Sequence, residues 1–172
     1  MRDAILLVAG LFSWTIVEYV VHGALAHSHR TFVTKIHGIH HGDPHRVFTI
    51  RAWPWVAIVY FTSLAFLGIS APTIYLSGII AGFLAYEFLH YRFHFAEPSS
   101  NLESWLRARH LAHHTGAPNA YFGVTTPLWD RVFGSEPEAA RRAELEARAS
   151  KMAPLTGRTN IERITRRFRF SN

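Results

Sequence analysis

Ten of the twelve histidines fall into four boxes: His22-x4-His27, His37-x2-His40-His41, His90-x3-His94 and His110-x2-His113-His114. Imidazole is the commonest metal-binding side chain, and helical residues three or four apart share one face. His37 and His41 can therefore address one point. Adjacent His40 and His41 sit about 100° apart around a helix axis and cannot easily serve the same ion. Each HxxHH box is suited to splitting its nitrogens between two neighbouring metals, which gives each ion about five nitrogens and one open position. Zinc prefers about four ligands, whereas iron accepts six-coordinate sites with positions left open for oxygen chemistry. The pattern points to a dinuclear centre of two iron ions, with zinc as a substitute that purified protein could carry.

The elements that must position these boxes are apolar. Ala4–Val21, Trp53–Ser70 and Thr73–His90 are three long apolar runs, and the region after Phe95 is polar and charged. The first, at about 1.5 Å per residue, extends about 27 Å as a helix, close to a bilayer core of about 30 Å. A cleaved leader ending at Ala24-Leu-Ala26 is the rival reading, but cleavage would discard His22 and the run carries Glu18. The connection between residues 22 and 52 holds Arg30, Lys35, Arg46 and Arg51, the region from Arg92 onward holds thirteen Lys/Arg, and the 71–72 turn has none. The positive-inside rule then gathers all ten box histidines on the cytosolic face. The net charge of +6 suits an anionic membrane surface, and no nucleic-acid motif accompanies it. Without cysteine, the chain offers no disulfide, thiol chemistry or iron–sulfur cluster.

Two carboxylates precede histidines at helical spacing, Glu18 before His22 and Glu87 before His90. A carboxylate in an apolar span usually has a functional reason, here that of orienting a ligand ring and fixing its tautomer. Asn119 and Asp130 are further candidates for holding a water or a ring. His29 and His45 lie off the repeated pattern and read as solvated or hydrogen-bonded.

The four boxes in this order, followed by Asn119-Ala-Tyr-Phe-Gly-Val-Thr-Thr-Pro-Leu-Trp-Asp-Arg-Val-Phe-Gly134, resemble the fatty acid hydroxylase/sterol desaturase superfamily of membrane di-iron oxygenases. The likeness runs from Glu18 to Gly134. The tail motif and the His90-x3-His94 spacing resemble the fatty acid 2-hydroxylase branch, since bacterial carotenoid hydroxylases typically have one more residue between these two histidines. The resemblance implies an all-α integral membrane protein with about three transmembrane helices, a cytosolic helical cap and a histidine-lined dinuclear site. It implies hydroxylation of a lipid acyl chain near its polar end, with O2 and electrons from a separate ferredoxin or cytochrome b5-like donor. A carotenoid ring hydroxylase, a sterol desaturase-like enzyme, a zinc-handling membrane protein and a b-type haem site stay open as alternatives. The family's usual fourth span and fused cytochrome domain are not expected here, which leans toward a bacterial inner membrane rather than the ER. Residues 1–134 read as the catalytic domain and 135–172 as a charged, exposed tail. Glu136–Lys151 reads as a surface helix, and Arg166–Phe170 as a basic segment suited to anionic lipid.

Overall fold

The computed structural model describes residues 1–28 and 31–169, with side chains described through Ile164 apart from Ser28. His29 and the side chains of the Arg166–Phe170 segment therefore lie outside the described residues. Every described element is a helix: α1 (Arg2–Tyr19), a π-helical segment (Val20–Ser28), α2 (Phe32–Gly42), α3 (Trp53–Leu67), α4 (Ala71–Phe95), α5 (Asn101–Thr115), α6 (Leu128–Phe133), α7 (Ala139–Ala149) and α8 (Asn160–Arg169).

Two of these have full spanning length. Arg2–His27 runs 26 residues and α4 runs 25, about 39 and 37 Å at 1.5 Å per residue. The second apolar run is shorter than its sequence suggests: α3 has 15 residues and stops at Gly68, whose φ of +58° takes the chain out of the helix. No residue of α3 is buried, and Trp55, Ile58, Val59, Phe61 and Phe66 are all exposed. An apolar surface of that extent belongs in hydrocarbon rather than water.

α1 and α4 run in the same direction, with Gly10 against Gly78 and Trp14 against Gly82. Their backbones touch. A Cβ built on Gly10 would lie 2.1 Å from the Tyr75 carbonyl oxygen, and one on Gly78 would lie 2.1 Å from that of Leu7. Small residues permit this close approach between membrane helices, and the shared direction brings His22 and His90 to the same end.

Beyond that end, α5 starts at an N-cap in which the Ser100 hydroxyl accepts from Glu103 N at 3.1 Å. Arg92 on α4 grips Glu103 with Nε at 2.5 Å and Nη2 at 3.0 Å, fixing the α4–α5 corner. The Arg92 guanidinium holds the Glu103 carboxyl down at a pKa of about 2.

α7 is exposed over much of its surface, yet it is not a free surface helix. Leu145 and Ala149, one turn apart, are buried against Ala108, Leu111, Ala112 and Tyr121. The following strand of chain crosses the histidine end, where Leu155 N donates to the His94 carbonyl at 2.7 Å and Arg107 reaches Met152 O at 2.9 Å. The sequence showed the charge of the 135–172 segment and missed this apolar stripe beneath it.

Candidate metal centre

Ten histidines converge from four elements into two groups. His22 and His27 of the π-helical segment, His37 and His41 of α2 and His113 of α5 form the first; His40 of α2, His90 and His94 of α4, and His110 and His114 of α5 form the second. Within each group the candidate ligand atoms lie within 4.8 Å of one another. The groups share a wall where the His41 ring stacks on His114 at 4.2 Å.

Local structure explains the assignment. α2 begins with a capping box between Thr31 and Thr34, and its 3.6-residue period sends His37 and His41 one way and His40 another. The same period on α5 separates His113 from His110 and His114. His22 and His27 need a different device. Five residues along an α-helix leave two side chains about 140° apart, but the π-helix bonds residue i to i+5 and stacks them on one face. Their ring centroids are 5.4 Å apart. The x4 spacing was the available signal for this local unwinding.

The nitrogens are placed for a cation. The Nε2 of His41 lies 2.8 Å from that of His37 and 3.1 Å from that of His113, and His22 Nε2 is 3.1 Å from His113 Nε2. In the second group, His40 Nε2 is 2.9 Å from that of His90 and 3.1 Å from that of His114, and His110 lies 2.9 Å from His94. Nitrogens held about 2.1 Å from one ion are about 3.0 Å apart at right angles and about 3.4 Å apart in a tetrahedron. The measured edges match the right-angled set.

These contacts are not ordinary hydrogen bonds. His22 Nδ1 lies 2.7 Å from the Phe122 carbonyl and His113 Nδ1 lies 2.7 Å from the Ala120 carbonyl. A carbonyl only accepts, so both Nδ1 atoms carry the proton and both neutral rings present a lone pair at Nε2. Two lone pairs 3.1 Å apart repel unless a cation lies between them. Burial also keeps the rings neutral. It holds His37, His40, His110, His113 and His114 well below the usual imidazole range, with the neighbouring rings adding to the effect, and brings His41 down to about 4. Neutral imidazole is the ligating form. The residues fit a pair of metal ions.

Each carboxylate stands on the face its spacing suggested, but its direct partners are backbone and hydroxyl donors rather than a ring. Among the described residues neither Glu18 nor Glu87 bonds a histidine ring directly. Glu18 accepts from the backbone N–H groups of Val124 and Thr125 and from the Thr125 hydroxyl. Glu87 accepts from the Thr49 N–H and hydroxyl and from Trp53 Nε1, tying the α2–α3 connection to α4. Helical spacing put each on the correct face, but partners distant in the chain satisfy each carboxylate first. Asp130 is fully buried, accepting from Phe122 N (2.8 Å), Gly123 N (3.1 Å), Ser135 Oγ (2.7 Å) and Arg109 Nη2 (3.3 Å). Burial pushes its carboxyl up, against the opposing pull of these donors. Asn119 is exposed. His45 lies outside the groups, with Nε2 donating to Thr156 O at 2.8 Å.

Fold and site together define a helical membrane protein built around two five-histidine metal-binding groups. The chain belongs to the fatty acid hydroxylase family, whose profile matches residues 7–135. It is 33% identical over 147 residues to the ceramide very long chain fatty acid hydroxylase scs7 of Schizosaccharomyces pombe, covering 75% of this chain and 41% of that one. It is 32% identical over 140 residues to the dihydroceramide fatty acyl 2-hydroxylase FAH2 of Arabidopsis thaliana, covering 74% and 59%. With the fatty acid 2-hydroxylase of Rattus norvegicus the identity is 30% over 142 residues, covering 74% and 38%. The solved structure of full-length scs7p, in which only the hydroxylase domain is visible, superposes with a TM-score of 0.66 at 26% identity, covering 90% of this chain and 59% of that chain. The chain thus spans roughly two to three fifths of the length of these relatives.

Proposed function

We propose that the protein is a membrane di-iron monooxygenase that hydroxylates a lipid acyl chain near its polar end, a fatty acid or sphingolipid 2-hydroxylase-like reaction. The observation that carries this reading is the pair of five-nitrogen groups with right-angled edges, which favours iron over four-coordinate zinc. His22, His27, His37, His41 and His113 hold one iron, and His40, His90, His94, His110 and His114 the other. When bound, the two irons supply dioxygen activation. The balanced reaction converts a C–H bond, O2, two electrons and two protons into a C–OH bond and water.

The chain's own residues supply position. Both histidine groups lie where the spanning helices α1 and α4 leave the apolar layer, level with lipid headgroups, so the carbon beside an acyl carbonyl meets them most readily. Ceramide and fatty acid 2-hydroxylases among the relatives support that choice over a carotenoid ring or sterol. The first group is the more open, with His27, His37 and His41 half-buried, whereas only His114 of the second group is. Substrate and dioxygen approach from that side. The basic connections favour a cytosolic position for this end, where a separate ferredoxin or cytochrome b5-like donor would deliver electrons.

Lipid mass spectrometry under labelled dioxygen tests the proposal, comparing cells expressing the intact chain with cells expressing a His113→Ala, His114→Ala variant. A lipid carrying one labelled oxygen on its second carbon, present only with the intact boxes, is expected. Absence of any oxygenated lipid from a protein loaded with two irons and supplied with a donor and ceramide or fatty acid would refute it.

A further inference from the structure

The backbone from Ala120 to Thr125 lies between the first histidine group and two carboxylates carried by different helices. Four consecutive N–H groups end on those carboxylates: Phe122 and Gly123 on Asp130, Val124 and Thr125 on Glu18. Two carbonyls of the same strap accept hydrogen bonds from ligand rings, Ala120 from His113 and Phe122 from His22, each at 2.7 Å. Between them Tyr121 holds φ +61°, a left-handed conformation that costs an L-residue about 1–2 kcal/mol. Such backbone persists only where its surroundings over-determine it. Here those surroundings are Asp130, Glu18 and the 3.2 Å bond from Tyr121 N to Ser135 O.

We propose that Glu18 and Asp130 are positioning residues for the first metal position. By fixing the strap they aim the Ala120 and Phe122 carbonyls, and those carbonyls set the tautomer and orientation of His113 and His22. The inference rests on the reading that the first histidine group holds a metal. The effect is specific to that position, because in the second group the Nδ1 atoms of His90, His110 and His114 are buried without a hydrogen-bond partner. A group bonded to the far nitrogen of a ligating histidine typically carries about 10–100-fold in metal affinity, and here that group is a strap carbonyl held in place by the two carboxylates.

The test uses the full chain in detergent, stripped of metal and titrated with Co2+, read by ligand-field absorption and by metal content per chain. Two Co2+ are expected for the native sequence. Asp130→Ala and Glu18→Leu should each weaken one of them about 10–100-fold. Glu18→Gln should stay near native, since one amide oxygen can still accept both N–H groups. Combined with His113→Ala, which already damages the first position, Asp130→Ala should add little. Combined with His94→Ala, it should leave neither position tight. The inference is overturned if Asp130→Ala and Glu18→Leu weaken both positions alike or leave both at native affinity. If Asp130→Ala does not fold, the contrast between Glu18→Leu and Glu18→Gln carries the same decision. If the native chain takes up no Co2+, or His113→Ala leaves both positions intact, the metal reading itself fails and takes this inference with it.

Discussion

Replacing Gly78 by alanine should damage the metal centre from twelve residues away. The added Cβ would lie 2.1 Å from the Leu7 carbonyl oxygen and 2.9 Å from Leu11 N, both backbone atoms of α1 that cannot rotate aside. Ordinary contact begins near 3.4 Å, so α1 and α4 must separate locally by about 1.3 Å. Over-packing of this kind costs about 1–3 kcal/mol. The same separation shifts His22, on the α1 side, relative to His90 on α4. A misplacement of about 1 Å can cost roughly 100-fold in rate. Thermal unfolding of detergent-solubilised protein, metal per chain and lipid hydroxylation would be measured together. We expect a lower melting temperature, metal content below the native value and hydroxylation down about 100-fold. Gly38→Ala is the contrast, because its Cβ meets nothing within 4 Å and alanine in a helix interior stabilises by about 0.5–1 kcal/mol. A Gly78→Ala protein that melts and binds metal like the native one would refute the claim that backbone contact of α1 and α4 sets the site.

Four other substitutions probe three separate links. His40→Ala and His41→Ala, adjacent in sequence, should empty different positions: paired with His113→Ala, the His41 variant keeps one tight metal and the His40 variant keeps none, as metal content per chain would show. Glu103→Gln tests the α4–α5 corner through pH. A carboxyl depressed to about 2 from 4.5 contributes stability fully above about pH 4.5 and loses it as pH falls through about 2. The native protein should therefore unfold more readily across that window, and Glu103→Gln, weaker at neutral pH, should show a shallower loss there; parallel curves would count against the pair. Leu145→Ala removes a buried side chain between α7 and α5 and should cost about 2–5 kcal/mol in denaturant unfolding, whereas a freely exposed helix would register less than about 0.5 kcal/mol.

What the sequence disclosed follows from range. The division of each HxxHH box was legible because one helical turn determines it, and the structure places His40 apart from His37 and His41 for that reason. The spanning helices were legible as apolar runs. The π-helical segment was not read, although a five-residue histidine spacing is hard to reconcile with an α-helix. The α1–α4 contact was also missed; Gly78-x3-Gly82 is the small-residue signature that could have revealed it. Glu18 and Asp130 illustrate the harder case. Their partners lie in a strap that pairs with Glu18 across more than a hundred residues, and no periodicity encodes which backbone N–H groups a buried carboxylate will meet.

The two histidine groups are held by different means, and their exposure explains the difference. In the second group His90 and His94 stand on the last two turns of α4, where Arg107 Nε donates to the Phe93 carbonyl at 3.0 Å and Leu155 N closes the His94 carbonyl. Four of its five rings are buried, so packing against neighbouring rings limits their orientation once the helices that carry them are fixed. The first group is open on the side of His27, His37 and His41, whose rings pack on one another and, at His27, on Phe122, yet stay half-buried. Its two buried members are instead fixed at ring level, each by a carbonyl of the strap. A site that admits substrate on one face gives up packing there, and a hydrogen-bonded frame on the opposite face is the remaining way to hold its geometry.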